Sequence, residues 1–186
     1  MNTLIVGATE SGKTTLGAEL AGEFKKHDYK IIVLSAVYDP RWKADYYTED
    51  PQEFLGVFWD SEGCIAFIDE AGETVGRYDE AMDKVATRGR HRGHSVFFIL
   101  QKATRISLTV REQCSRAFIF QSAPSTAAVM ADEFNQPKIE ERAPLLKKGE
   151  YIEVRRFGND GLPYYEEGKV FEVKSEISID KENKEE

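Results

Sequence analysis

The sequence predicts an α/β fold: a mainly parallel five-stranded sheet with helices on both faces, followed by a C-terminal antiparallel hairpin. Three observations predict it. Five short runs are apolar on both faces, as strands are when helices cover a sheet on either side. They alternate with segments whose apolar residues recur every three to four positions. Beyond Pro144 the pattern changes to period-two alternation around a Gly-Asn-Asp-Gly turn.

Each element follows in order. Thr3 to Val6 is short, apolar and β-branched, a strand; the glycines after it lead into a helix carrying Leu16, Leu20 and Phe24 up to His27. Lys30 to Ser35 is a second strand, closed where Pro40 removes a ladder donor. Asp50-Pro51 opens a short helix through Phe58, proline suiting the first turn. Cys64 to Ile68 is the third strand, and Asp79 to Thr87 a helix with Ala81, Met82, Val85 and Ala86 inward. Ser95 to Gln101 and Ala117 to Gln121 complete the five strands, and Ser125 to Phe134 is the last long helix. Glu150 to Phe157 then pairs with Lys169 to Val173 across the turn at Gly158 to Gly161. Residues 1–144 are expected to form the core and 145–173 an appendage of the same domain. Residues 174–186, with five acids, three lysines and two isoleucines, are expected to be a mobile charged tail.

Composition narrows the function. The 186 residues are 41% apolar and 31% charged, which suits one globular domain. No apolar run approaches the roughly 18–20 residues of a membrane span. The start, Met1-Asn2-Thr3, has no basic or long apolar leader, so a cytoplasmic location is expected. Cys64 and Cys114 form no CxxC pair and sit beside apolar residues, as packing cysteines do; zinc is not expected. Net charge is −8, yet Lys84 to Arg116 holds eight basic residues and one acid, a local +7 that leaves −15 on the other 153. An acidic body with one basic segment excludes whole-surface polyanion binding but not a local phosphate contact.

Gly7-Ala8-Thr9-Glu10-Ser11-Gly12-Lys13-Thr14 fits GxxxxGK[ST] between a strand and a helix. Glycines let successive backbone N–H groups converge on an anion, the helix start adds partial positive charge, and Lys13 reaches the terminal phosphates. Gly7, Thr9, Glu10, Ser11, Gly12, Lys13, Thr14 and Thr15 are therefore the expected nucleotide-binding set, with Thr14 a ligand of Mg²⁺. The run Cys64 to Ile68 ends in Asp69-Glu70. Asp69 suits the Mg²⁺ shell, and Glu70 suits the base that orients and deprotonates an attacking water.

The loop, the strand ending in Asp69-Glu70, and Thr87-Arg88-Gly89-Arg90-His91-Arg92-Gly93-His94 running into SVFFILQ together resemble the FtsK/HerA superfamily of P-loop ATPases. The resemblance implies a RecA-like P-loop NTPase core with ATP and Mg²⁺ as cofactors. It implies a fourth strand between the first and third, with Gln101 at its end sensing the γ-phosphate between Lys13 and Asp69. It also implies that Arg90, with Arg88 and Arg92 as rivals, is an arginine finger serving the neighbouring subunit. Size and motif order are most similar to genome-packaging ATPases of internal-membrane, double-jelly-roll viruses. That likeness implies a homo-oligomeric ring, a hexamer by preference, that draws double-stranded DNA into a capsid in the host cytoplasm, docked on a capsid or portal-vertex protein. Lys84, Arg105, Arg111 and the loop from Gln101 to Val110 are the candidate DNA contacts, on charge.

Two other families share part of the pattern. Filamentous-phage assembly and export ATPases also resemble Asp69-Glu70 followed by the Arg90-His91 turn. Nucleoside kinases of the thymidine-kinase type resemble Asp69-Glu70-Ala71 after an apolar strand, though two separated cysteines cannot build their four-cysteine zinc clasp. A nucleotide-sensing module without turnover is the non-enzymatic alternative.

Overall fold

The computed structural model describes residues 1–70 and 79–170. The expected mobile tail, 174–186, lies outside the described residues. Strands β1 (Asn2–Val6), β2 (Ile31–Leu34), β3 (Tyr46–Thr48), β4 (Ile65–Ile68), β5 (Ser95–Leu100), β6 (Cys114–Phe120), β7 (Glu150–Arg155) and β8 (Tyr164–Lys169) form one sheet in the order β3-β2-β4-β5-β1-β6-β7-β8. The first six are mutually parallel; β7 and β8 are antiparallel additions at one side.

The five apolar runs are β1, β2, β4, β5 and β6, and their residues are almost wholly buried. The sheet gains a sixth parallel strand, β3, whose two tyrosines are half-buried at the edge. The hairpin also pairs earlier than the sequence suggests: β7 meets Tyr164 to Lys169, with Arg155 opposite Tyr164 and Glu150 opposite Lys169. Positions 171–173 of the expected return strand lie outside the described residues.

Alternate strand residues feed two cores. Ile5, Phe67, Phe97 and Ile99 face helix α1 (Lys13–Lys26) and Trp42. Leu4, Val6, Phe98 and Leu100 face the other layer. That layer holds α2 (Pro51–Asp60), α3 (Asp79–Arg88), α4 (Leu108–Glu112), α5 (Pro124–Glu133) and α6 (Lys138–Arg142). Local chemistry sets these helices: Asp50 accepts from Gln52 N–H ahead of Pro51, and Ser107 caps α4 by accepting from Val110 N–H.

Because the parallel strands share a direction, the sheet has two unlike edges. Residues 7, 35, 49, 69, 101 and 121 leave its C-terminal edge; the chain enters β5 from its N-terminal edge at Gly89–Arg92. Helix α1 lies close on the sheet at Gly17, where an added Cβ would stand 2.7 Å from the Trp42 ring and 2.9 Å from Ile99. Gly17→Val is therefore expected to cost about 1–3 kcal/mol by overpacking. Thermal denaturation should read this as a fall of about 3–9 °C.

Candidate nucleotide-binding site

The segment between β1 and α1 is held from three directions. Gly7 N–H donates to Leu100 C=O at the end of β5 (3.2 Å), and Ala8 N–H to Gln121 C=O past β6 (2.7 Å). Ser11 C=O accepts from Gly149 N–H (2.9 Å), just before β7. Two glycines allow the approach: a Cβ on Gly7 would lie 2.6 Å from Cβ of Phe120, and Gly12, at φ 116°, faces the Phe120 ring and Val170. Gly12 caps α1 without a side-chain bond, and the first intrahelical bond is Leu16 N–H to Gly12 C=O. The N–H groups of Lys13, Thr14 and Thr15 thus open the helix, where an anion is favoured. Thr9 and Glu10 are exposed at the loop's crest, Glu10 with a left-handed backbone, and the Ser11 side chain is buried.

Lys13 folds over this loop, its Nζ donating to Ala8 C=O at 2.7 Å. Burial pulls its pKa below the usual lysine value, while Asp69 and then Glu70 act to raise it. Thr14 Oγ1 donates to Asp69 Oδ2 at 3.3 Å, and Glu70 N–H to Asp69 Oδ1 at 3.0 Å. Burial raises the Asp69 pKa, the nearby Glu70 charge adds to the rise, and the two donated hydrogen bonds and Lys13 oppose it. Glu70 is exposed and takes a left-handed backbone, φ 56°, as the chain leaves β4. A hydroxyl, a carboxylate and an ammonium thus meet at one helix start, short of the negative charge a polyphosphate carries.

Gln101 follows Leu100, and β5 lies between β4 and β1, so its backbone stands between the loop and the Asp69 strand end; it is exposed. The structure therefore brings Lys13, Thr14, Asp69, Glu70 and Gln101 to one edge. Arg90 is not among them. It lies in the 3-10 turn Gly89–Arg92, at the other end of β5, about 20 Å away at ~3.3 Å per residue. Arg88, Arg90 and Arg92 are all exposed there. The turn is rigidly seated: Gly63 N–H donates to Arg92 C=O, Gly93 N–H to Arg90 C=O, and Gly89 lies against Phe58.

Not every basic residue of the +7 segment is a surface cation. Arg111 donates to Ala103 and Ile106 carbonyls and stands 3.6 Å from Glu133, which also binds Arg156 at 2.6 Å. Arg116 pairs with Glu153 at 2.8 Å and lies over Phe118. Arg111 is thereby corrected from a candidate DNA contact to a brace between α4 and α5. Lys84 pairs with Glu80 one helical turn away. Cys64 and Cys114 are buried and unpaired; burial pushes Cys64 up to about 11, the wrong direction for a reactive thiolate. Among the described residues no His/Cys/Asp/Glu cluster is able to hold a metal ion, and no helix is long and apolar enough to cross a membrane.

Three groups important to the loop, Phe120, Gly149 and Val170, carry no motif. Gly149 reads in sequence as a turn before a strand, and only the fold brings it to Ser11.

Several solved structures are similar to the chain in fold. The genome packaging NTPase B204 of Sulfolobus turreted icosahedral virus 2, in complex with AMPPCP, superposes with a TM-score of 0.70 at 15% identity, covering 88% of this chain and 95% of that one. The fold is that of P-loop ATPases. The N-terminal domain of zonular occludens toxin from Neisseria meningitidis gives 0.56 at 15% identity, over 90% and 93% of the two chains. The cytoplasmic domain of the type VII secretion ATPase EccC from Thermomonospora curvata gives 0.59 at 10%, over 90% of this chain and 25% of that one. No family model matches the sequence, and neither does any curated protein.

Arg111→Met should lower thermal stability by about 1–3 kcal/mol, because it leaves the Ala103 and Ile106 carbonyls short of a donor and removes one of the two cations beside Glu133. Should the chain bind DNA as the sequence leads one to expect, fluorescence anisotropy should give this variant the wild-type affinity; a selective loss would restore Arg111 as a contact.

Proposed function

We propose that the protein is a Mg²⁺-dependent ATPase that translocates double-stranded DNA, packaging a viral genome into a preformed capsid. The convergence of Lys13, Thr14 and Asp69 at the start of α1, with Glu70 next in the chain, carries the reading. Its closeness in fold to B204, a genome packaging NTPase, supports the packaging role over other motor roles.

Thr14 Oγ1 and Asp69 Oδ2 are adjacent hard oxygen donors, and this pair suits Mg²⁺, which favours oxygen ligands. When bound there, the ion supplies charge neutralisation for the phosphates. The amides of the loop and of the first helical turn hold the phosphate oxygens. Lys13, now satisfied by Ala8 C=O, turns its ammonium to the terminal phosphates, whose charge replaces the solvation that burial removed. Glu70 accepts the proton of the water that attacks the γ-phosphorus as the bond to the bridging oxygen breaks, leaving ADP and phosphate. The Gln101 amide both donates and accepts, so it can orient that water and register the γ-phosphate.

Arginine at the opposite edge completes the mechanism only between copies. Arg90 of the next subunit would reach the site and spread its fork over the developing charge. A ring of identical subunits, preferably six, has every site so completed. The exposed loop after β5, with Lys102 and Arg105, is the DNA-contacting surface this reading favours, and binding there should fall steeply with salt. A second reading, an assembly or export ATPase of filamentous-phage type, is favoured by the rigid Arg90-His91-Arg92 turn ahead of β5.

Steady-state ATP hydrolysis with and without long double-stranded DNA tests the proposal. DNA should stimulate turnover; DNA-independent turnover would favour the export reading, and consumption of ATP only with added thymidine would favour a kinase. Glu70→Gln should retain ATP binding while turnover falls by about 10²–10⁴-fold, the usual worth of a general base. Arg90→Ala alone should be nearly inactive. Mixed with Glu70→Gln subunits it should recover turnover, and a mixture no faster than its parts would remove Arg90 from a role in trans.

A further inference from the structure

We propose that the tip of the β7–β8 hairpin, carrying Phe157 and Leu162, is a second contact by which one copy of this chain seats on the next, beside the arginine turn. The inference rests on the reading of a site shared between copies and names a surface that holds the finger in place.

Position is the first argument. Strand β7 runs antiparallel to β6, with Phe120 opposite Tyr151 and Arg116 opposite Arg155. The hairpin therefore begins at the loop edge and turns at the other edge, the one that carries Arg90. Strands β5 and β7 are three places apart in the sheet, about 14 Å at ~4.8 Å per strand. The arginine turn and the hairpin tip thus fit within one interface footprint of ordinary size, about 800 Å² per partner.

The second argument is how the tip is built. Phe157 and Leu162 are 73% and 63% exposed, among the most exposed large apolar side chains in the described residues. They do not belong to a loose loop. Gly158 N–H donates to Leu162 C=O at 2.6 Å, and Leu162 N–H to Asp160 Oδ1 at 3.0 Å. Beneath them Arg156 binds Glu133 at 2.6 Å and Cys114 C=O at 3.0 Å. Two apolar groups held rigidly in water lose little entropy on docking, which is what an interface anchor requires.

The third argument is complementarity, which selects a second copy as the occupant. The far edge of the sheet exposes Leu145 before β7 and Val37 and Tyr38 after β2. At its β2–β3 end it also exposes acidic Glu49 and Asp50, with Lys102, Lys147 and Lys148 exposed nearer β5 and β7, whereas the edge with the tip exposes Arg88, Arg90 and Arg92 alongside Asp60 and Glu62. Among the described residues none of these three arginines forms an ion pair. Apolar tip to apolar rim, and arginine turn to the Glu49–Asp50 corner beside Val37 and Tyr38, is a head-to-tail match, the kind of contact that closes into rings. The hairpin further ties the two edges together, since the chain that enters β7 donates from Gly149 to Ser11 C=O in the loop itself.

Replacing both side chains, Phe157→Ser with Leu162→Ser, tests this. Sedimentation across a concentration series should show the assembly midpoint raised by about tenfold or more, as removal of an interface anchor does. Turnover per subunit should fall on dilution and return at high concentration, with ATP affinity and melting temperature unchanged. An unchanged midpoint overturns the proposal. If wild-type subunits assemble and lose turnover with Arg90→Ala while the double variant assembles normally, the hairpin inference fails and the shared-site reading stands. If wild-type turnover is independent of concentration and the protein stays monomeric, both fail. Should the double variant melt early, Phe157→Cys combined with Leu145→Cys or with Tyr38→Cys, oxidised with diamide, gives the same decision: a cross-link between copies in either pair supports the contact, and none in both overturns it. Cys64 and Cys114 are buried and leave a low background.

Discussion

The chain between Gly7 and Gly12 is fixed by three backbone hydrogen bonds to three different strand ends, and the rest of the site is placed by that constraint. Leu100, Gln121 and Gly149 reach it from β5, from β6 and from the start of the hairpin. A side chain on Gly7 would collide with Phe120, its Cβ 2.6 Å from that of Phe120, and one on Gly12 would be strained by the left-handed backbone at φ 116°. The glycines therefore have two duties, close approach at Gly7 and a left-handed turn into α1 at Gly12. Once the loop is set, α1 begins at a defined point, and Lys13 and Thr14 face the end of β4.

That placement has an electrostatic cost. Lys13 and Asp69 are both largely withdrawn from water, and burial moves each pKa toward neutrality. Their mutual attraction, with bonds from Thr14 and Glu70 N–H to Asp69, offsets part of this. An apolar pair at these positions would be the more stable arrangement by the usual reckoning for buried charges. On the proposed function, the site is thus stability given up in advance for a ligand that brings four negative charges and its own cation.

Much of this was legible in the sequence, and the reasons differ by element. Runs such as Cys64 to Ile68 and Val96 to Leu100 announce buried parallel strands because both of their faces are covered. The loop announces itself because its anion-binding motif is local, Gly7 to Thr14, although the groups that fix its shape are not. Strand β3 is three residues long, half-buried and tyrosine-rich, so it has no periodicity to detect. Strand β8, Tyr-Tyr-Glu-Glu-Gly-Lys, lacks alternation because only an edge strand could tolerate its charges. Arg111 and Arg116 read as surface cations, since their partners Glu133 and Glu153 are more than twenty residues away and only folding brings them together. Gly149 was invisible for the same reason.

The separation of charge also recasts the acidic character of the chain. With Arg111 and Arg116 internally paired and Lys84 matched to Glu80, the basic excess of the 84–116 segment reduces to two places. One is the arginine turn at the N-terminal edge of the parallel strands; the other is the exposed loop after β5, with Lys102. If DNA is the partner, as proposed, a single subunit offers it very few phosphate contacts, and the affinity from counterion release grows with the number of contacts. On the proposed reading the same assembly that completes each ATP site also multiplies those contacts around one duplex. Weak contacts per subunit then favour movement, because any one copy can release its phosphates while the others hold.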